Sequence, residues 1–289
     1  MEAAQQAKTD GSEDREAAFY RSLGHEDCYE RLTLAVARGR GLSVVIGEAG
    51  FGKTTIKGAL LNQLRPDPRV AIGTIDDPRD CRTDVQFLRA VLGQFGVDAS
   101  GRTGLDLTTA FLGFLEAMRA ARRTTLLVID DGHHLTSSHL EIVRTFLSVE
   151  TPARSPIAVV VFAEPELEEK IGRKRNLARR VGMEHRLNPF NRRDTAGLIA
   201  HRLAAMGHPT GAGRAVFTEE AIDLIHERSG GVPGTIVEIS AGCLQEATRR
   251  RRDRVDGALA TAVIDRRGHR VTRIRMEPPA EVAGMEATP

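Results

Sequence analysis

The chain has 289 residues, 41% of them hydrophobic and 28% charged, with a formal net charge of +2. That length supports one large domain or two smaller ones with real cores, and that charge is too small to demand an anionic partner. No apolar run reaches the roughly 18–20 residues of a membrane span, and the acidic start MEAAQQAKTDGSEDRE does not read as a signal peptide. Cys28, Cys81 and Cys243 are far apart in sequence and form no metal or redox spacing. They are expected to be buried apolar fillers in a protein of the reducing cytoplasm.

Residues 1–18 are expected to form a disordered tail, and Phe19 to Arg38 a helix. The run LSVVIG then predicts a short buried strand, and KTTIKGALLNQL the helix after it. Between them, Gly47-Glu48-Ala49-Gly50-Phe51-Gly52-Lys53-Thr54 satisfies G-x-x-x-x-G-K-[ST] at every required position. Gly47 and Gly52 relieve backbone crowding, so that successive N–H groups point into one concavity. The following helix aims its positive dipole end at the same place. The loop from Gly47 to Thr55, including Ala49, Gly50 and Phe51, is therefore expected to cradle phosphates. Lys53 would reach the β- and γ-phosphates of ATP, and the Thr54 hydroxyl would ligate Mg²⁺.

RVAIGTID (69–76) predicts a second strand. DVQFLRAVLGQFG predicts a helix closed by Gly96, and LDLTTAFLGFLEAMRAARR another, with Phe111, Leu115 and Met118 on one stripe. TTLLVIDDGHHL is a buried strand ending in two aspartates, at the strand end where open α/β sheets bind ligands. Asp130 is placed to hold Mg²⁺ through water, and Asp131 to act as a general base or water-orienting carboxylate. His133 and His134 are adjacent on a turn, are expected to point different ways, and are not read as a metal pair. SSHLEIVRTFLSVE predicts a helix, IAVVVFAE a further buried strand, the basic stretch through Arg180 a helix, and GMEHRLNPF a last short strand. From Arg192 onward the pattern is that of three or four helices. Strands alternating with helices predict a parallel sheet covered on both faces. The expected organisation is an α/β nucleotide-binding domain over 19–190, a small all-helical domain over 191–268, and a flexible tail over 269–289.

This arrangement resembles an AAA+ ATPase, a P-loop NTPase with a C-terminal helical lid. FYRSLGHEDCYERL, GEAGFGKTT, LLVIDDGHHL, VVVFAEPEL, LARRV and GGVPGTI occur in the order seen in general secretion pathway A-type (ExeA/GspA-like) ATPases, with TniB/TnsC-type transposition ATPases sharing the core. The resemblance spans about residues 19–265. It implies Walker A at Gly47–Thr54 and the Walker B Mg²⁺ carboxylate at Asp130. It also implies that Arg180 is offered to the nucleotide of a neighbouring subunit, so that Lys53, Asp131 and Arg180 form the catalytic set of a homo-oligomer. Three positions depart from the family. Asp131 stands where glutamate is usual, and its shorter reach by about 1.5 Å is of the order that costs about 10²-fold in rate. Glu164 replaces a glutamine near the γ-phosphate, and Gly234 stands where a lid arginine often follows the proline. The expectation is slow turnover, the behaviour of a switch. The arginines 249–252, with Arg266, Arg267, Arg270, Arg273 and Arg275, make the C-terminal part basic and raise duplex DNA as a partner beside a secretion or transposition protein.

Overall fold

The computed structural model describes residues 19–267, except 40, 102, 149–156 and 209–215. Both expected tails, with Arg270, Arg273 and Arg275, lie outside the described residues. Five strands form one parallel sheet: β1 (Leu42–Ile46), β2 (Val70–Ile75), β3 (Thr124–Ile129), β4 (Ile157–Ala163) and β5 (Val181–Arg186), in the order β2-β3-β4-β1-β5. The three central strands are buried on nearly every residue, while the edges β2 and β5 are half-exposed. That is why β1, β3 and β4 read as continuous apolar runs.

Successive strand residues face opposite sides of the sheet. Val44, Leu127 and Val159 point into one core with α3 (Asp84–Gln94), α4 (Gly104–Ala120) and α5 (Ser137–Leu147). Val45, Val128 and Val160 point into the other with α1 (Leu23–Ala37) and α2 (Lys53–Leu64). Local signals set the helix ends. Thr83 and Thr103 each make a capping box. Gly96, just past α3, has φ +66°, as a glycine closing a helix should.

Two boundaries differ from the sequence expectation. The first helix begins at Leu23, not Phe19, because the Ser22 hydroxyl caps it by accepting from the His25 amide. Phe19 and Tyr20 are thereby left to pack elsewhere. The basic stretch is two short helices, α6 (Glu166–Gly172) and α7 (Arg175–Ala178), because Lys174 leaves the helical region at φ −116°, ψ 80°. Its ammonium crosses to Glu141 Oε1 at 2.6 Å.

The remaining helices, α8 (Arg192–Ala205), α9 (Glu219–Ser229), α10 (Pro233–Arg249) and α11 (Gly257–Arg267), enclose a third core around Ile225, Ile236 and Ile239. All three cysteines are buried, and burial pushes the Cys28 thiol up to about 12. No helix among the described residues is long and apolar enough to cross a membrane.

Candidate functional site

The loop after β1 turns on two glycines with positive φ, Gly50 (+80°) and Gly52 (+88°). Gly52 is fixed twice over. A Cβ there would meet the His25 ring nitrogen at 2.7 Å, in a backbone conformation L side chains rarely adopt. His25 itself is buried. Its Nε2 lies 2.9 Å from the Phe51 carbonyl, its Nδ1 lies 2.9 Å from the Ser22 hydroxyl, and burial lowers its pKa. A neutral ring that donates through Nε2 and accepts through Nδ1 satisfies both partners.

Lys53 is buried, and its ammonium donates to the carbonyls of Gly47 (2.6 Å) and Glu48 (3.0 Å). Burial lowers its pKa, opposed by the negative charges of Glu164, Asp130, Asp131 and Glu48.

At the end of β3, the amide of Asp130 donates to the Ile75 carbonyl (2.8 Å). One Asp130 oxygen accepts from the Asp131 amide (3.0 Å), and the other pairs with Lys57 at 2.6 Å. Lys57 also reaches Asp76 at 3.0 Å. Its burial alone would lower its pKa, but the hydrogen bonds and charges of Asp130 and Asp76 outweigh that and raise it. Asp131 sits in the left-handed region at φ 47°, which aspartate tolerates better than most residues. Next to it, a Cβ on Gly132 would come within 2.1 Å of Val161 Cγ1. Gly132→Ala should therefore destabilise the fold by about 2–3 kcal/mol, read as a lowered thermal midpoint. Val161→Ala in the same chain should restore part of it. Lys170 holds the turn by donating to the His133 and Leu135 carbonyls. The two histidine rings do not diverge as expected, but lie 3.9 Å apart on a 3-10 turn.

These elements bound a cavity of about 500 Å³ lined by Ala49, Gly50, Gly52, Lys53, Thr54 and Thr55 of the loop, with Asp131 and Glu164. It is also lined by Tyr20, Phe190, Leu198, Arg202 and Val237. Tyr20 meets the Phe190 ring edge-on at 5.9 Å. The N-terminus of α10 closes the cavity: the Gly234 amide donates to the Gly50 carbonyl at 2.9 Å. A Cβ on Gly234 would lie 3.1 Å from Gly50 Cα. The position where an arginine is common in the resembling family is thus a backbone contact here.

The candidate residues are not all brought together. Phe51 turns its side chain into the core, and Asp130 is held behind the cavity wall by Lys57. Arg180 lies at the opposite end of the sheet. Its carbonyl accepts from Leu42 at the start of β1, whereas the loop follows Ile46, about 13 Å further along the strand. Its guanidinium donates to the Leu147 carbonyl at 3.3 Å. Sequence reasoning missed His25, Lys57 and the aromatic lining of the cavity. Only Lys57 had a local signal, a charge one helical turn from Lys53 on the buried face.

Residues 36–171 match the family model described as AAA domain. This segment is an AAA domain. Over 221 residues the chain is 28% identical to General secretion pathway protein A of Aeromonas hydrophila, an alignment covering 75% of this chain and 39% of that protein. The chain therefore spans about two fifths of the length of this curated relative. Among solved structures, it resembles the ORC2 protein of Aeropyrum pernix in ADPNP–ADP complexes, with 14% identity and TM-score 0.61 over 83% of this chain and 66% of that one. It also resembles Cdc6p of Pyrobaculum aerophilum, with 16% identity and TM-score 0.60 over 82% and 65%. The RuvB Holliday junction branch migration motor of Thermotoga maritima shows 16% identity and TM-score 0.56 over 86% and 72%. The sheet carrying the AAA domain, with its helical C-terminal part, has the AAA+ P-loop NTPase fold.

Proposed function

We propose that the chain binds Mg·ATP in the cavity between the phosphate loop and α10, hydrolyses it slowly, and uses nucleotide-dependent self-association as a switch. The carrying observation is the convergence of Lys53, Thr54 and Asp131 on one cavity, with Asp130 immediately behind it. Thr54 and Asp130 offer hard oxygen donors, which suit Mg²⁺; when bound, that ion would neutralise phosphate charge. Lys53 would pair with the β- and γ-phosphates, the loop amides would orient them, and Asp131 would hold the attacking water. The apolar and aromatic lining would take the base. Arg180, remote from its own loop, would serve the site of an adjacent copy.

The test is equilibrium binding of a fluorescent ATP analogue with Mg²⁺, followed by phosphate release. Binding with turnover below about 10 s⁻¹ is expected, and no binding refutes the proposal. Asp131→Asn keeps the turn, because asparagine also tolerates positive φ. It should lower phosphate release by about 10²-fold, the low end of what a positioned base contributes, with affinity for the analogue little changed. Equal release by both proteins would remove Asp131 from the chemistry.

Duplex DNA is a second reading, favoured by the exposed arginines of the α10–α11 corner and by the fold shared with a branch migration motor. The run is partly neutralised. Arg249, Arg250 and Arg266 all pair with the buried Glu246, and Arg252 pairs with Asp256. Retention of duplex at low salt with ATP, falling steeply as salt rises, would support this partner; no retention would leave a secretion-type partner or a scaffold role.

A further inference from the structure

We propose that Lys57 is a resident counter-cation of the Asp130 carboxylate and sets how much Mg²⁺ the nucleotide site requires. The proposal rests on the Mg·ATP reading of the cavity. Lys57 follows Lys53 by one turn of α2; the Lys53 ammonium stays with the Gly47 and Glu48 carbonyls, while that of Lys57 reaches Asp76 after β2 and Asp130 after β3. Its side chain is 11% exposed and that of Asp130 10%, and their charged atoms are 2.6 Å apart. Asp76, the other partner of Lys57, is 79% exposed.

The neighbours of Lys57 on α2, Ile56 and Leu60, are fully buried. An apolar side chain would serve packing on this face without the cost of desolvating an ammonium. The charge is therefore informative, and it is spent on the carboxylate that the metal would need.

Two effects follow from that geometry. With Asp130 Oδ1 accepting from the Asp131 amide and Oδ2 from Lys57, the carboxylate is a weaker acceptor for a metal-bound water. The Lys57 charge also cancels part of the negative potential of Asp76, Asp130, Asp131 and Glu164, which would otherwise draw in a divalent cation and repel a polyphosphate. Lys57 thus makes the site less dependent on Mg²⁺ for admitting nucleotide, and less avid for Mg²⁺ once nucleotide is present. A lysine that only braced the fold would affect both properties in the same direction.

The experiment titrates Mg²⁺ against a fluorescent ATP analogue and repeats the binding in EDTA, using the full chain and its Lys57→Gln, Asp76→Asn and Asp130→Asn variants. Removing one unit charge 2.6 Å from the Asp130 carboxylate should lower the Mg²⁺ midpoint of Lys57→Gln by about tenfold, and weaken its binding in EDTA severalfold. Asp76→Asn, which leaves Lys57 to Asp130 alone, should raise the midpoint. It changes an exposed side chain and so keeps the test decisive if Lys57→Gln does not fold. An unchanged or raised midpoint in folded Lys57→Gln, or an unchanged or lowered one in Asp76→Asn, overturns the role of Lys57. Failure of the unmodified protein to bind the analogue under any condition, or an Mg²⁺ midpoint unaffected by Asp130→Asn, instead refutes the underlying site.

Discussion

Lys53→Ala is expected to weaken nucleotide binding by at least about 100-fold, by analogy with charged hydrogen bonds of 1.5–3 kcal/mol each, of which a triphosphate would receive more than one. The buried ammonium is surrounded by Glu164, Asp130, Asp131 and Glu48. Removing it deletes the phosphate's main cationic partner and leaves the cavity-lining acids Asp131 and Glu164 facing a polyanion. The variant also loses the bonds to the Gly47 and Glu48 carbonyls, so its thermal midpoint must be measured beside its affinity. Calorimetry with a non-hydrolysable ATP analogue reads the first. Unchanged affinity in a folded variant would sink the phosphate-loop assignment.

Arg180→Ala should leave nucleotide binding by the monomer nearly intact while lowering hydrolysis by about 10³-fold, the lower range for arginines supplied in trans. It should also abolish ATP-dependent oligomers in sedimentation. Arg180 directly precedes the edge strand β5, beside Gly41 and far from its own loop. Only a second copy could bring it to a nucleotide. Its hydrogen bond to the Leu147 carbonyl must be released or shared for that. The neighbouring Arg179 is exposed, which makes Arg179→Ala the decisive control. Loss of hydrolysis there and not at Arg180 would shift the finger by one residue, and wild-type rates in both would remove it.

The five strands along the chain, the glycine-rich loop and the two strand-end aspartates were legible because each is written in contiguous residues. An apolar run buried on both faces, a glycine pattern and a strand-end acid pair need no distant partner to be recognised. The Ser22 cap is equally local, but the apolar Phe19 and Tyr20 extend the helical pattern ahead of it, and the Phe190 partner of Tyr20 is distant in sequence. His25 and Lys57 were illegible for a related reason. A histidine early in the chain acquires meaning only when the fold sets it against the Phe51 carbonyl, and a helix lysine only when β3 brings Asp130 to it. The arginine run is the reverse case. Its charge is plain in sequence, while the buried glutamate that gathers three arginines is a single residue within α10 and α11 packing.

One link between α10 and the phosphate loop is made by main-chain atoms, the Gly234 amide and the Gly50 carbonyl. Truncating side chains to alanine cannot delete such a joint, and at these two glycines alanine would add atoms to it. An alanine scan of this molecule would therefore leave this joint unreported. Its contribution would surface on exchanging the Gly234 amide for an ester, which keeps every side chain and removes a single proton donor.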